Sequence, residues 1–267
     1  MYLVSNRAFG LSILLGGIIA MLWSYHFVDS VIGDTVANGL LGYDAKQAPL
    51  HGYLSTAFFA LVTGLAGTFT ACNICAISCV GPVANGATTL SEAAKPVGKL
   101  LFGALTVSVL YGFFAVIFAA YLPQYTNETY FGFYQGRLLQ ASLIFVPIGI
   151  LMLSWGWNGK VPSPFVLGAM IGAFLIGRPF PLFRKMFESA VETHNPFFGA
   201  GTFALQALGN IALIVLFIFL VSISGHRVRR WLHLNSVKIA SIGFLIGGMF
   251  LVVYWGIRIP LRFWLAA

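Results

Sequence analysis

The chain has 267 residues, of which 59% are hydrophobic and only 8% are charged, whereas a typical soluble domain carries about 25% charged residues. This composition excludes an ordinary soluble protein, and apolar runs of about 20 residues, long enough to cross a bilayer as helices, recur along the chain. The net charge of +8 requires no nucleic-acid partner, because basic residues collect at the cytoplasmic ends of membrane helices. The sequence predicts an all-α integral membrane protein surrounded by the lipid bilayer.

Seven membrane-spanning helices are predicted in chain order. The first covers about residues 8–28, and its apolar stretch is too long for the core of a signal peptide. The chain then divides into this N-terminal helix with its outer loop, residues 1–52, and a six-helix membrane core, residues 53–267. The spans of the core are predicted at about 53–80, 98–122, 139–157, 164–184, 199–224 and 238–258.

The basic residues predict the orientation of these helices. The loop expected between the last two spans, GHRVRRWLHLNSVK (225–238), holds the densest group of Arg and Lys, and such groups stay in the cytoplasm. Because successive spans cross in opposite directions, this loop places Arg7 and the N-terminus inside, and the acidic segment 29–52 and the C-terminus outside. Only Arg184 and Lys185, in a predicted outer loop, fit this arrangement poorly. We expect a protein of the bacterial inner (cytoplasmic) membrane.

Two segments of the core resemble each other in the placing of Gly and Pro, GLAGTFTAC and GAMIGAFLIGRPF. Gly64 stands eight residues before Cys72, and Gly172 stands eight residues before Phe180. Proline follows closely or lies within the segment, at positions Pro82, Pro179 and Pro181. Because the two predicted helices run in opposite directions, we expect spans 2–4 and 5–7 to form inverted repeats. Such repeats place a functional site near the bilayer midplane, at helices interrupted by Gly or Pro.

All three cysteines lie in one apolar stretch, TFTACNICAISCVGP, as Cys72, Cys75 and Cys79. On a regular α-helix, Cys75 lies about 60° and Cys79 about 20° around the axis from Cys72, so the thiols would share one narrow face. Cysteine also packs as a small hydrophobe, but the gathering of every thiol on one face favours a reactive site. The three cysteines are therefore the candidate catalytic residues.

Two kinds of chemistry fit these thiols. Thiol–disulfide exchange proceeds through a mixed disulfide with a protein partner. It would need a local helix break near Pro82, because an i,i+3 pair on a regular helix is too far apart for a disulfide. Alternatively, three thiolates could hold Cu(I). No other cofactor is expected, because iron–sulfur clusters ordinarily use four Cys ligands and a zinc site would need a fourth ligand that the sequence lacks nearby.

A second motif lies in NPFFGAGTFALQALG. Its spaced residues are Asn195, Pro196, Gly199, Phe203, Leu205, Leu208 and Gly209. Together with the Gly-rich segment before it, this motif resembles the membrane domain of the DsbD/CcdA family, the transmembrane thiol–disulfide electron carriers, in which Asn-Pro opens a helix. GLAGTFTACNICAISCVGP is similar to the first cysteine motif of that family. The resemblance covers about residues 53–258.

The resemblance implies two inverted three-helix repeats that each bring one cysteine to a shared centre. It further implies that thioredoxin-like proteins in the cytoplasm reduce this pair. The pair then passes electrons to extracytoplasmic thiol proteins, often those that serve cytochrome c maturation. Cys72 matches the first family cysteine, whereas the second would fall near Phe180, which is not a thiol. Cys75 and Cys79 are additions to the family pattern.

Two interpretations of this departure stay open. The redox pair has moved within one segment, with Cys72 as the primary thiol, Cys75 as the resolving thiol and Cys79 as a third donor or spare. The protein would then be a thiol–disulfide oxidoreductase. Otherwise the chain has left electron transfer, and it binds metal, handles a small solute or serves as an accessory subunit of a larger membrane complex.

Several residues near these motifs are expected to act on structure or gating. Arg178 precedes the proline of the second segment, where a cation would favour a nearby thiolate or would snorkel to the interface. Asn73 is expected to form a hydrogen bond across helices, the usual role of Asn within a membrane. Pro82, Pro179 and Pro181 are expected to loosen the helices so that the site opens to each side in turn. Carboxylates are few and lie mostly in predicted loops, which argues against a pump built on membrane-buried acids.

Overall fold

The computed structural model describes residues 5–24, 27–50, 52–69, 73, 76–78, 80–84, 89–122, 128–130, 134–177 and 180–265. Within these ranges the chain is all-α apart from one short hairpin. The helices are α1 Asn6–Leu22, α2 Gly33–Leu41, α3 Gly52–Ala66, α4 Val80–Ala84, α5 Leu90–Ile117, α6 Gly136–Asn158, α7 Pro164–Ile176, α8 Pro181–Glu192, α9 Pro196–Ile223, α10 His226–Val253 and α11 Ile259–Trp264. The hairpin pairs β1 Thr129–Tyr130 with β2 Tyr134–Gln135 in antiparallel register.

Four helical stretches of the described residues are long and apolar enough to cross a membrane. They are α5, α6, α9 and the continuous stretch Leu234–Trp264, which joins α10 to α11 through a π-helical turn. Helices α7 and α8 would add a fifth crossing if the pair forms one bent span, and their axes differ by 87°. Helices α1 and α3 are apolar but shorter, with 17 and 15 residues. The predicted all-α membrane class is confirmed at this level.

The second predicted span, 53–80, is not one continuous α-helix. Helix α3 ends at Ala66 and a 3₁₀ turn, Gly67–Phe69, follows it. Side chains take up the carbonyls at this end, because the Thr68 hydroxyl donates to Gly64 O at 3.4 Å and Asn73 Nδ2 donates to Gly67 O at 2.9 Å. The regular helical spacing assumed for the cysteines therefore does not continue from α3.

The fifth predicted span, 164–184, is also interrupted. Helix α7 ends at Ile176, and α8 begins at Pro181 in a different direction. Proline lacks a backbone N–H and fits the first position of a helix, where no donor is needed. Pro181 therefore starts a new helix instead of extending the old one.

Two segments predicted as loops are helical, so both predictions were wrong. The basic segment 225–238 belongs to α10, which begins at His226. Arg227, Arg230 and Lys238 are exposed, whereas Leu232 and Ser236 face Gly81 of α4, so the helix keeps a packed side beyond its apolar stretch. Most of the predicted outer loop, residues 184–194, belongs to α8, which ends at Glu192 and whose inward side is apolar and other side charged. The buried residues of α8 are Leu182, Phe183, Met186, Phe187, Ala190 and Val191.

The helices pack in two groups. In the first, α9 packs along α3 and α5, and α5 packs along α7. In the second, α10 packs along α1 and α6. The short α4 lies between the groups and contacts both α9 and α10.

Glycines bring the helices of the first group into backbone contact. A Cβ atom built on Gly64 would lie 2.1 Å from a carbonyl oxygen of α9, and one on Gly209 would lie 2.2 Å from a carbonyl oxygen of α3. A Cβ on Gly168 would lie 1.9 Å from a carbonyl oxygen of α5, and one on Gly103 would lie 2.0 Å from a carbonyl oxygen of α7. Such approaches admit only glycine and are typical of helix pairs within membranes.

The two ends of this assembly differ in charge. At one end lie the starts of α1, α5, α7 and α10 and the end of α6. The start of α1 contacts the end of α6 there, with the rings of Phe9 and Trp157 4.2 Å apart. We call it the basic end. Among the described residues, Glu92 is the one acidic residue at this end. The basic residues there are Arg7, Lys95, Lys99, Lys160, Arg227, Arg229, Arg230 and Lys238.

At the opposite end, which we call the mixed-charge end, acids and bases occur together. Here Lys46 forms an ion pair with Asp34. Lys185 of α8 donates to the backbone carbonyls of Ala45 at 2.7 Å and Lys46 at 3.1 Å, and to that of Ala48. These bonds hold the segment before α3 against α8.

Candidate functional site

Five of the predicted site residues lie outside the described part of the chain, namely Cys72, Cys75, Cys79, Arg178 and Pro179. The shared face of the three thiols therefore stays a prediction.

Three described residues near the cysteines are buried inside the helix assembly. Asn73 has an exposed fraction of 0%, Ala76 of 4% and Val80 of 6%. Ala76, Val80 and Val83 line one side of a cavity of about 10 Å³. Its other walls come from α5, α7 and α9, as Leu100, Leu167, Ile171, Ile214 and Ile218. Asn73, Ala76 and Val80 therefore lie in the interior of the assembly.

A pair of asparagines ties this segment to α9. Asn73 Nδ2 donates to Asn210 Oδ1 at 2.7 Å, and Asn210 Nδ2 donates to Asn73 Oδ1 at 3.3 Å. Both residues are fully buried. The expected hydrogen bond of Asn73 across helices is confirmed. Asn210 was not among the predicted residues, although an Asn directly after Gly209 in an apolar run was a signal for it.

Further hydrogen bonds hold the end of α3. The Thr68 hydroxyl lies 3.2 Å from Asn210 O, to which it donates, in addition to its bond with Gly64 O. Gly64 is therefore at the centre of this contact, because it permits the close approach of α9 and its carbonyl receives a side-chain bond. The predicted structural role of Gly64 fits this position.

Helix α9 presents a row of buried polar side chains that the sequence analysis also missed. Thr202, Gln206 and Asn210 follow one another at four-residue spacing, with exposed fractions of 1%, 2% and 0%. Residues four apart share one face of a helix. This polar row points away from lipid, and its spacing within an apolar helix was the available signal.

The second helix break lies between α7 and α8. Gln140 of α6 donates from Nε2 to Ile176 O, the last carbonyl of α7, at 3.3 Å and to the Tyr111 hydroxyl at 3.2 Å. Phe180, at the place of the second family cysteine, has an exposed fraction of 2%. A Cβ built on Gly33 of α2 would lie 2.9 Å from the Phe180 ring, so this position is filled by a packed aromatic side chain.

The remaining predicted residues have helix-forming or packing positions. Asn195 caps α9, because its Oδ1 accepts from the backbone N–H groups of Phe197 at 3.0 Å and Phe198 at 3.2 Å. Pro196 is the first residue of α9, which confirms that Asn-Pro opens a helix. Gly172 faces α5, where a built Cβ would lie 2.8 Å from Ala104 O. Pro82 is half-buried within α4.

The structure does not test the alternative that the three cysteines bind Cu(I). Among the residues that the structure describes, which do not include the cysteines, no group of three His, Asp or Glu side chains could hold a metal ion. Copper binding by the thiols therefore stays a prediction.

Comparisons of this chain with protein-family models, with curated proteins and with solved structures found no match.

Proposed function

We propose that the chain crosses the membrane seven times, as α1 followed by two inverted three-segment units. The first unit comprises α3 to α6, and the second comprises α7 to α11. Reciprocal packing supports this proposal, because the first helix of each unit packs on the long second helix of the other. The glycine contacts between α3 and α9 and between α7 and α5 have the same form. The first helix of each unit is also interrupted, after Ala66 and after Ile176.

The proposed orientation has the basic end in the cytoplasm. This places the N-terminus inside and the C-terminus outside a bacterial inner membrane. Its support is the contrast between the two ends, since Lys and Arg are retained on the cytoplasmic side of membrane proteins.

For the activity, we propose thiol–disulfide exchange that passes reducing equivalents across the membrane. The observation that carries this proposal is the burial of three described residues around the cysteines, Asn73, Ala76 and Val80. These residues follow the interruption of α3. Asn73 bonds to Asn210 of α9, and Ala76 and Val80 face a cavity whose other walls come from α5, α7 and α9. A lipid-facing segment would leave the thiols without access to a protein partner.

In the proposed reaction, the Cys72 thiolate attacks the disulfide of an oxidised extracytoplasmic partner. This step forms a mixed disulfide and releases one partner thiol. Cys75 then attacks the Cys72 sulfur, which forms the Cys72–Cys75 disulfide and releases the second partner thiol. Two electrons and two protons pass to the partner. A reduced thioredoxin-like protein on the cytoplasmic side restores the two thiols by the same steps in reverse.

The experiment uses the purified protein in lipid nanodiscs with reduced thioredoxin that lacks its resolving cysteine. We expect the oxidised wild-type protein to form a covalent thioredoxin adduct on a non-reducing gel. Cys72→Ser should abolish the adduct, because the attacked sulfur is lost. Cys79→Ser serves as the matched control and should keep the adduct, since Cys79 lies outside the proposed pair.

Two results would contradict the proposal. One is the absence of an adduct in the wild type as well as in Cys72→Ser, with all thiols open to alkylation at any redox potential. The other is stoichiometric copper that is lost when any one cysteine is replaced, which would favour Cu(I) binding.

A second candidate is an accessory role in a larger membrane complex. It is favoured by an open apolar groove of about 460 Å³ along α1. Helix α1 lies outside the two proposed units. The groove is lined by Ile13, Leu14, Gly17, Ile18, Met21, Leu22, Met249 and Val253. Purification in mild detergent tests this role. Fixed stoichiometry with other subunits, kept when all three cysteines are replaced, would support it over thiol exchange.

A further inference from the structure

Two buried polar side chains face each other across the contact between α5 and α9, which we call the α5–α9 seam. Ser108 has an exposed fraction of 0% and Gln206 of 2%. Ser108 Oγ and Gln206 Oε1 are both buried without a hydrogen-bond partner among the described residues. Polar atoms in this state are costly within a membrane, where no bulk water reaches them.

The contacts of the two helices establish their register. A Cβ on Gly199 of α9 would lie 2.5 Å from Val116, whereas a Cβ on Gly112 of α5 would lie 2.9 Å from Phe203. The residue numbers therefore rise on α9 as they fall on α5, and the helices are antiparallel.

This register places the two unpartnered atoms at one level. Ser108 lies one turn before Gly112 and shares its face of α5. Gln206 lies about one turn after Phe203 on the face of α9 that meets α5. The two side chains therefore project into the same part of the seam.

The hydrogen-bonding capacity of the two groups fits one kind of bound molecule. The side-chain oxygen of Gln206 can only accept a hydrogen bond, whereas the hydroxyl of Ser108 can donate and accept. A water molecule donates to the first and accepts from the second, and buried waters typically make two to four such bonds.

We infer that Ser108 and Gln206 form an internal water-binding site in the α5–α9 seam. The site lies within a longer line of polar groups. Asn210, one turn after Gln206, bonds to Asn73 beside the break in α3. Tyr111, about one turn after Ser108, bonds to Gln140, which also holds the last carbonyl of α7. Water at the centre would extend hydrogen bonding from one helix break towards the other, and it does not depend on thiol chemistry.

Radiolytic labelling tests the site, because X-ray pulses oxidise side chains that lie next to bound water. Phe203 is the reporter, since it is 1% exposed and contacts Gly112 in the seam. Phe174, at 0% exposed in the apolar core, is the matched control. We expect oxidation of Phe203 and none of Phe174, and loss of the Phe203 signal in a Ser108→Ala, Gln206→Leu double variant. An unlabelled Phe203, or labelling that persists in the double variant, would overturn the site.

Thermal unfolding in detergent provides a second readout with a definite sign. If water bridges the two groups, Gln206→Met removes its partner and lowers Tm. If the seam is dry, the same change removes an unsatisfied polar atom and raises Tm, which would overturn the inference. Thr202→Val should have little effect, because the Thr202 hydroxyl bonds within α9 to Phe198 O at 2.8 Å. A direct Ser108–Gln206 bond would also lower Tm in Gln206→Met but would leave Phe203 unlabelled, which contradicts the water site.

Discussion

At the scale of single residues, the Asn73–Asn210 pair joins the cysteine segment to α9. The two amides exchange hydrogen bonds in both directions. Asn73 also binds Gly67 O, and Thr68 binds the backbone carbonyl of Asn210. The pair thereby stabilises the interruption of α3 as well as the contact between two distant parts of the chain.

We predict that Asn210→Ala destabilises the protein by about 1–3 kcal/mol, because it leaves the buried Asn73 amide without one of its partners. A double-mutant cycle with Asn73→Ala, measured by thermal or denaturant unfolding in detergent, should give a coupling energy of about 0.6–1.7 kcal/mol. Asn158→Ala is the control, because Asn158 is exposed and bonds only to Ser154 O within its own helix. Additive single effects would show that the two amides do not interact.

At the scale of the helices, glycine decides which pairs can meet. The close approaches of α3 to α9 and of α7 to α5 leave no space for a methyl group. Small residues on the two Gly-rich helices were predicted from the sequence. The helices that pack against them were not, because spacing along one helix carries no information about the helix that faces it.

We predict that Gly209→Ala and Gly168→Ala each destabilise the protein by about 1–3 kcal/mol or prevent folding, because the added Cβ meets a backbone carbonyl that cannot move aside. Gly201→Ala in α9 and Gly98→Ala in α5 are matched controls, since a Cβ at either position has no atom within 4 Å. Expression and Tm in detergent report the effect. Equal behaviour of Gly209→Ala and Gly201→Ala would contradict the close packing of α3 and α9.

At the scale of the whole molecule, the difference in charge between the two ends governs the proposed orientation. The basic end collects residues from the starts of α1, α5 and α10 and from the end of α6, which are far apart in sequence. Arg184 and Lys185 fitted the sequence-based orientation poorly, but α8 lies against the mixed-charge end. There Arg184 pairs with Glu188 at 2.6 Å, and Lys185 binds backbone carbonyls. Both cations thus have local partners on the side that we propose to be outside.

We predict that a cysteine at position 226 is labelled by a membrane-impermeant maleimide only in inside-out vesicles, because the basic end faces the cytoplasm. The substitution is His226→Cys, in a chain whose three native cysteines are serine. Gln47→Cys at the mixed-charge end should show the opposite result, with labelling on intact cells. Both residues are exposed. A reversed pattern, or labelling of both positions from one side, would contradict the orientation.

The amino-acid sequence by itself determined the class of this protein and the approximate position of its helices. Hydropathy is a local property, and a chain in lipid must satisfy its backbone hydrogen bonds within each segment, so long apolar runs become helices. The start of α9 at Asn195–Pro196 is likewise a local feature, because a helix cap depends only on neighbouring residues. The association of Asn73 with another helix also followed from its residue type.

Only the tertiary structure decided where α3 ends and which polar groups meet. The partner of Asn73 lies 137 residues away, and the end of α3 at Ala66 depends on bonds that involve that partner. The water site that we infer at Ser108 and Gln206 rests on the antiparallel register of α5 and α9, which no single segment specifies. Contacts between distant segments depend on the packing of whole helices, and local sequence pattern does not contain that information.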